Sequence, residues 1–233
     1  MSLHRAIIAA SSRVLARLKA RQRIRIPVHY VPVKVNLGCG LAVAPGWINV
    51  DGSLNALIAN LPEFLHGIAY RISGARHYYT EETYRQLLRD NWFVHHDLGA
   101  SIPIADASAD FMYSSHFFEH LYPEEAVNLL REAWRSLKPG GLLRLSIPDL
   151  AYAIALYHKG DKDRMLKSYF FVEDENNHYS RHKYMYDYDM LSKLLKEAGF
   201  REVVRRQFRQ GDMPDIHLLD NREGESLFVE ARR

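Results

Sequence analysis

The sequence predicts an α/β fold with a mostly parallel sheet, and three observations carry that expectation. Short apolar runs alternate along the chain with amphipathic segments, as strands alternate with helices in βαβ units. Four of these runs end in Gly, Asp or Ser, the residue types suited to the ligand-facing carboxyl edge of an open parallel sheet. The last two runs, "REVVRRQF" and "SLFVEARR", alternate with a period of two and read as a C-terminal antiparallel hairpin.

Taken in order, the first strand runs from Val33 to Leu37 and ends in Gly38-Cys39-Gly40. The second runs from Trp47 to Val50 and ends in Asp51. The few residues between Gly40 and Asp51 cannot hold a full crossover helix, since a parallel connection normally takes about a dozen or more. A shortened first crossover is therefore expected, a loop or single turn through Leu41 to Ala44 stopped by Pro45-Gly46. Its missing cover has to come from outside the shared pattern, from the leading helix or from residues 53–91.

Residues 53–91 read as a helical insertion, with Thr80 as an N-cap for "TEETYRQLLRDN". "WFVHHDL" is a strand ending in Asp97, and "DFMYSS" a strand ending at Ser114, just ahead of Ser115 and His116. "YPEEAVNLLREAWRSLKPGG" is the clearest helix: Pro123 opens it, Glu124 and Glu125 suit its N-terminal dipole, and Gly140-Gly141 stop it. "LLRLSIP" is the next strand. Residues 151–187, rich in Tyr, Phe and His, form a second insertion on the substrate side. "YDMLSKLLKEAGF" is a helix closed by Gly199, and "DNREGE" is the turn between the last two strands.

A chain of 233 residues, 47% hydrophobic and 25% charged, suits a single domain over residues 1–233 with a substantial core. The lone Cys39 excludes an internal disulfide and fits a reducing, cytoplasmic setting; beside the glycines it reads as a small buried thiol rather than a nucleophile. The net charge of +3 is local, because residues 1–50 hold eight Lys or Arg and no acid. Residues 1–32 read as a basic amphipathic leading helix and linker, with Leu3, Ile7, Ala10, Val14 and Leu18 on one stripe. That helix either docks on the domain or makes peripheral contact with an anionic membrane; a transit peptide is a weaker reading, and nucleic acid is not an expected partner. No apolar run approaches the ~18 residues of a spanning helix.

The pieces "VNLGCG", "INVD", "HHDL", "DFMYSSHFFEHL", "LKPGGLLRLSIPD" and "LLKEAGF" together resemble the class I S-adenosylmethionine-dependent methyltransferases. The resemblance implies a Rossmann-like, seven-stranded sheet with a reversed last strand, helices on both faces, and S-adenosylmethionine across the tops of the first four strands. By position, Gly38, Cys39 and Gly40 would lie against the methionine part, and Asp51, with Gly52, would hold the ribose. Asp97 and Leu98 would flank the adenine, and Ser115 and His116 would sit near the transferable methyl. Asn36 would contact the methionine end, where the family often has an acid. Ala42 stands where a third glycine is frequent, which suits a cofactor without phosphate better than a dinucleotide. Asp51 also follows Gly38 too closely for the dinucleotide fingerprint, leaving an NAD-dependent oxidoreductase as the weaker alternative.

The activity so implied is methyl transfer to an oxygen or nitrogen of a small-molecule acceptor, with a sugar or glycolipid intermediate among the candidates. A cofactor-binding regulatory protein without transferase activity is the second reading. His116 and His182 are the expected general bases, ahead of Glu119 and His120. His116 and His120 lack the H-E-x-x-H order and have no third ligand placed beside them, so no metal site is expected. The two aromatic insertions would support a homodimer.

Overall fold

The computed structural model describes residues 22–72, 74–170 and 181–233. The leading helix expected within residues 1–21, and the part of the aromatic segment at 171–180, lie outside the described residues.

Among the described residues, seven strands form one sheet: β1 Lys34–Leu37, β2 Ile48–Asp51, β3 Trp92–His95, β4 Ala109–Ser115, β5 Leu137–Pro148, β6 Arg201–Arg206 and β7 Ser226–Arg232. Their spatial order is β3-β2-β1-β4-β5-β7-β6. The pairs β1/β2, β1/β4, β2/β3 and β4/β5 are parallel, and β7 runs antiparallel to both β5 and β6. This is the mostly parallel α/β sheet with a terminal antiparallel hairpin that the sequence predicts. The order reverses at β1 and β4, and residues following those strands share one edge of the sheet, where ligands of open α/β sheets bind.

Helices α1 Leu54–Ile58, α2 His66–Ile72 and α3 Glu81–Asp90 follow β2; α4 Pro123–Ser136 follows β4. α5 Leu150–His158 and the short α6 Lys162–Met165 follow β5, α7 Tyr188–Glu197 precedes β6, and α8 Ile216–Leu219 precedes β7. Local chemistry sets their starts. Thr80 Oγ1 accepts from the Thr83 amide at 3.2 Å, Asp187 Oδ1 from the Met190 amide at 2.9 Å, and Asp149 Oδ1 from the Ala151 amide at 2.9 Å. Gly199, at φ +104, follows the end of α7 in a conformation costly for other residues.

Successive residues of a strand face opposite layers, and the sheet is buried on both sides. Met112, Leu143 and Leu145 join Val35, Leu37 and Val50 in the main core with Leu129 and Leu130 of α4 and Leu191 and Leu195 of α7. Their neighbours Tyr113 and Leu142 face a second cluster holding Ala44 and Trp47. Residues ahead of β1 also lie on the main core: Ile24, Ile26 and Tyr30 pack against it, and the Ile24 amide donates to the Pro103 carbonyl at 2.9 Å.

Three boundaries differ from the sequence reading. α4 stops at Ser136, four residues before the glycines, because Leu137 already pairs with Ala109. The residues between Leu137 and Leu142 bulge out of register, which Gly140 permits at φ +79, and Lys138 returns its ammonium to Asp110 at 2.8 Å. The connection from β6 to β7 is not the single turn "DNREGE": it occupies residues 207–225 and includes α8. The third concerns the cover of the first crossover. Between Gly40 and Trp47 there is no helix, only turns, as the spacing demands. One side of that loop, Cys39, Leu41 and Val43, packs on Ala56, Ile58, Ala69 and Tyr84 of the 53–91 helices. The other side, Ala44 and Trp47, packs on Met213, Ile216 and Leu219. The 53–91 helices thus supply one side of the cover, as expected of that insertion, and the β6–β7 connection supplies the other, which the sequence does not point to.

Candidate active site

The glycine loop is held by the acid at the end of the next strand. Asp51 Oδ2 accepts from the Gly40 amide and its Oδ1 from the Ser53 amide, both at 2.7 Å. Each bond to an ionised carboxylate is stronger than a neutral one, and both are mostly shielded from water. Asn36 lies one pleat below, paired with Asn49 across β1 and β2. It donates to the Ala42 carbonyl at 2.9 Å and to Asn49 Oδ1 at 3.1 Å, so both its protons hold the loop and the strand pair, leaving its oxygen as the group available to a ligand.

The two glycines differ in what they face. A Cβ at Gly40 would meet nothing within 4 Å, and φ there is +53. A Cβ at Gly38, at φ +66, would overlap the Phe117 side chain, so Phe117 covers the first glycine while the loop stays open at the second. Phe117 follows no motif that marks it in the sequence; only the fold brings it onto the loop. Cys39 is buried, and burial followed by the neighbouring Asp51 carboxylate pushes its thiol well above the usual range, as expected of an inert packing residue.

After β3, Asp97 is exposed and its Oδ1 accepts from the Gly99 amide at 3.0 Å, while Leu98 puts its side chain into the main core. The Leu98 backbone, not its side chain, is what remains at the edge. Gly52 approaches the His96 carbonyl, where a Cβ would lie 3.4 Å away. Ser115 ends β4, and His116 follows in the left-handed region at φ +48.

Four ionisable side chains meet at the turn after β4. Glu119, in the short 3₁₀ turn Phe118–His120, is 1% exposed. Its Oε1 lies 3.4 Å from His116 Nδ1, 3.8 Å from His120 Nε2 and 3.9 Å from His182 Nε2. His182 reaches it because the Glu119 carbonyl accepts from the Lys183 and Tyr184 amides at 2.8 and 3.3 Å, docking that segment across the turn. His116 Nε2 is 2.9 Å from Ser226 Oγ on β7. Burial raises the Glu119 carboxyl, but the adjacent His116 and His120 outweigh it and the net direction is downward; burial lowers His182. The two expected bases, His116 and His182, are thus brought to one buried carboxylate, and His120 is the third imidazole beside it.

These residues suit S-adenosylmethionine: an open glycine loop with its amide oriented by Asp51, an exposed acid after β3, and a cluster of proton-accepting groups after β4. A family model described as a methyltransferase domain matches residues 68–145. No curated protein matches the sequence. Among solved structures, an S-adenosylmethionine-dependent methyltransferase from Archaeoglobus fulgidus is similar at 17% identity, covering 98% of this chain and 94% of that one, with a TM-score of 0.51. The S-adenosylmethionine-dependent methyltransferase SibL is similar at 19% identity, over 97% of this chain and 56% of that one, with a TM-score of 0.50. The CurJ carbon methyltransferase is similar at 14% identity, over 89% and 50%, with a TM-score of 0.50.

Likeness at these identities establishes the fold, that of the class I methyltransferases. The family model matches less than half of the chain, so residues 68–145 are similar to a methyltransferase domain and the fold is the one that S-adenosylmethionine-dependent methyltransferases share.

Proposed function

We propose that the protein transfers a methyl group from S-adenosylmethionine to an oxygen or nitrogen of a small-molecule acceptor. The supporting observation is the placement of two groups along the carboxyl edges of β1, β2 and β4: the loop Gly38–Gly40 tied to Asp51, and the imidazoles around Glu119. When bound, S-adenosylmethionine supplies an electrophilic sulfonium methyl. The protein's task is then to align the acceptor and to take up its proton. Alignment can supply up to about 7–11 kcal/mol of the barrier.

Asp51 fixes the loop against which the cofactor lies and offers its remaining lone pairs to ribose hydroxyls. Either His116 or His182 takes the acceptor's single proton, and the Glu119 carboxylate stabilises the imidazolium that results. A base so held contributes roughly 10²–10⁴-fold when the nucleophile is a hydroxyl. The exposed Tyr184, its ring tilted at 5.0 Å against the buried Tyr186, suits a neutral acceptor with a flat or hydroxylated face, such as a sugar or glycolipid intermediate.

The test is methyl transfer from labelled S-adenosylmethionine to panels of hydroxyl and amine acceptors. The proposal expects turnover that falls at least tenfold in His116→Ala or in His182→Ala. Both variants remaining within about threefold of wild type on an identified acceptor would overturn the assignment of the bases. Cofactor binding without transfer to any acceptor would favour a regulatory binding protein.

A further inference from the structure

Glu119, His120 and His182 bring one carboxylate oxygen and two imidazole nitrogens within 4.8 Å of one another. Three features of their surroundings bear on what they do together. The first is tautomer: His120 Nδ1 lies 3.0 Å from the Arg181 carbonyl oxygen and His182 Nδ1 lies 2.8 Å from that of Tyr169. A carbonyl only accepts, so each Nδ1 carries a proton and, in the neutral ring, each Nε2 presents a lone pair. The second is direction: those two Nε2 atoms are the ones that face Glu119 Oε1, at 3.8 and 3.9 Å. The third is burial: Glu119 is 1% exposed, and neither of its carboxylate oxygens has a well-formed hydrogen bond, the nearest nitrogen being His116 Nδ1 at 3.4 Å.

A buried carboxylate without a well-formed hydrogen bond is costly, and the two lone pairs that face it at 3.8 and 3.9 Å, beyond hydrogen-bond length, repel it. A cation between the three atoms resolves both. We infer that Glu119, His120 and His182 bind one divalent first-row transition cation. Two imidazoles and one carboxylate are the donor set of zinc and of its neighbours in the series, and the backbone carbonyls on Nδ1 are the outer partners that fix a ligating histidine. Metal–ligand bonds of about 2.0–2.2 Å place donors roughly 3.0–3.5 Å apart, so each imidazole needs to close on the carboxylate by roughly 0.3–0.9 Å, and the two imidazoles on one another by up to about 1.3–1.8 Å. Three protein ligands leave positions open. Because the cluster follows β4, an acceptor oxygen would fill one of them; that clause rests on the methyl-transfer reading, the site itself does not. His182 as a ligand leaves His116, whose Nδ1 is 3.4 Å from the same carboxylate oxygen, as the proton acceptor.

The test uses the full chain, stripped with chelator and dialysed. Zinc and cobalt(II) are titrated by calorimetry, and the visible absorption of the cobalt form is recorded. The inference expects one equivalent per chain, a submicromolar dissociation constant for zinc, and cobalt bands that zinc displaces. Glu119→Gln, His120→Ala and His182→Ala should each weaken zinc by at least 100-fold, while His158→Ala, on exposed α5, leaves it unchanged. Thermal unfolding of each variant identifies any that fails to fold, and the wild-type cobalt spectrum stands without them. Absence of saturable one-to-one binding by the wild type, or equal affinity in the folded variants, overturns the site. Cation binding by a chain that does not bind S-adenosylhomocysteine upholds the site and overturns the methyl-transfer reading.

Discussion

The Gly40 amide donates to Asp51 Oδ2 at 2.7 Å, joining the loop after the first strand to the acid after the second. The same carboxylate holds the Ser53 amide, so removing it frees two backbone donors in a largely buried position. Asp51→Ala is expected to destabilise the fold by about 1–3 kcal/mol and to weaken S-adenosylhomocysteine binding by at least about tenfold. Chemical denaturation and calorimetry on the same preparation check the two effects.

Phe117 against Gly38 gives a packing prediction. Gly38→Ala puts a methyl into the Phe117 side chain at a positive φ, and the clash and backbone strain together are expected to cost about 2–4 kcal/mol. The double variant Gly38→Ala/Phe117→Ala relieves the clash and not the strain. Its unfolding free energy should exceed the value obtained by adding the two single effects, a coupling that a denaturation cycle measures directly.

Arg144, fully buried, donates to Asp220 at 2.6 Å and to Glu230 at 3.1 Å. Arg144→Met leaves Asp220 buried without its cation and Glu230 with Arg206 alone, at 2.8 Å, and is expected to cost about 3–5 kcal/mol. A midpoint of urea unfolding close to that of the wild type would contradict this account of the β6–β7 connection, which also uses Arg144 to hold the Gln207 and Gln210 carbonyls.

Asp215 anchors the same connection to the first crossover, accepting from Lys34 at 2.7 Å and from the Trp47 indole at 2.8 Å. Partial burial raises its carboxyl, but the Lys34 ammonium and the Trp47 N–H outweigh this and hold it below its ordinary value. A depressed folded-state pKa stabilises fully above the unfolded value near ~3.9, and that contribution disappears as pH falls through the folded value. The stability difference between wild type and Asp215→Asn should therefore be constant from pH 7 to about 5 and shrink as pH falls below about 4. A difference that stays the same down to pH 2 would show that Asp215 acts without its charge.

Much of this arrangement is legible in the sequence because it is local. The residues at or just past the ends of the first four strands, Gly38, Asp51, Asp97 and Ser115, and the cap Thr80, follow from period and residue type within a few positions, although β3 itself stops at His95, short of Asp97. The short interval before Asp51 likewise forces a helix-free crossover. What is not legible depends on distant segments meeting. Asp215 reaches Trp47 across 168 residues, His182 reaches Glu119 through a backbone dock of the 183–184 amides, and Phe117 covers Gly38 because β1 and β4 are neighbours in space. No periodicity encodes those encounters; they follow from the strand order, which local pattern leaves open.

The most direct test of the central claim is calorimetric titration of the wild-type chain with S-adenosylhomocysteine and S-adenosylmethionine. The account predicts saturable one-to-one binding of both in the micromolar range or tighter, with NAD giving no heat. Absence of binding to either, from protein shown to be folded, would contradict it.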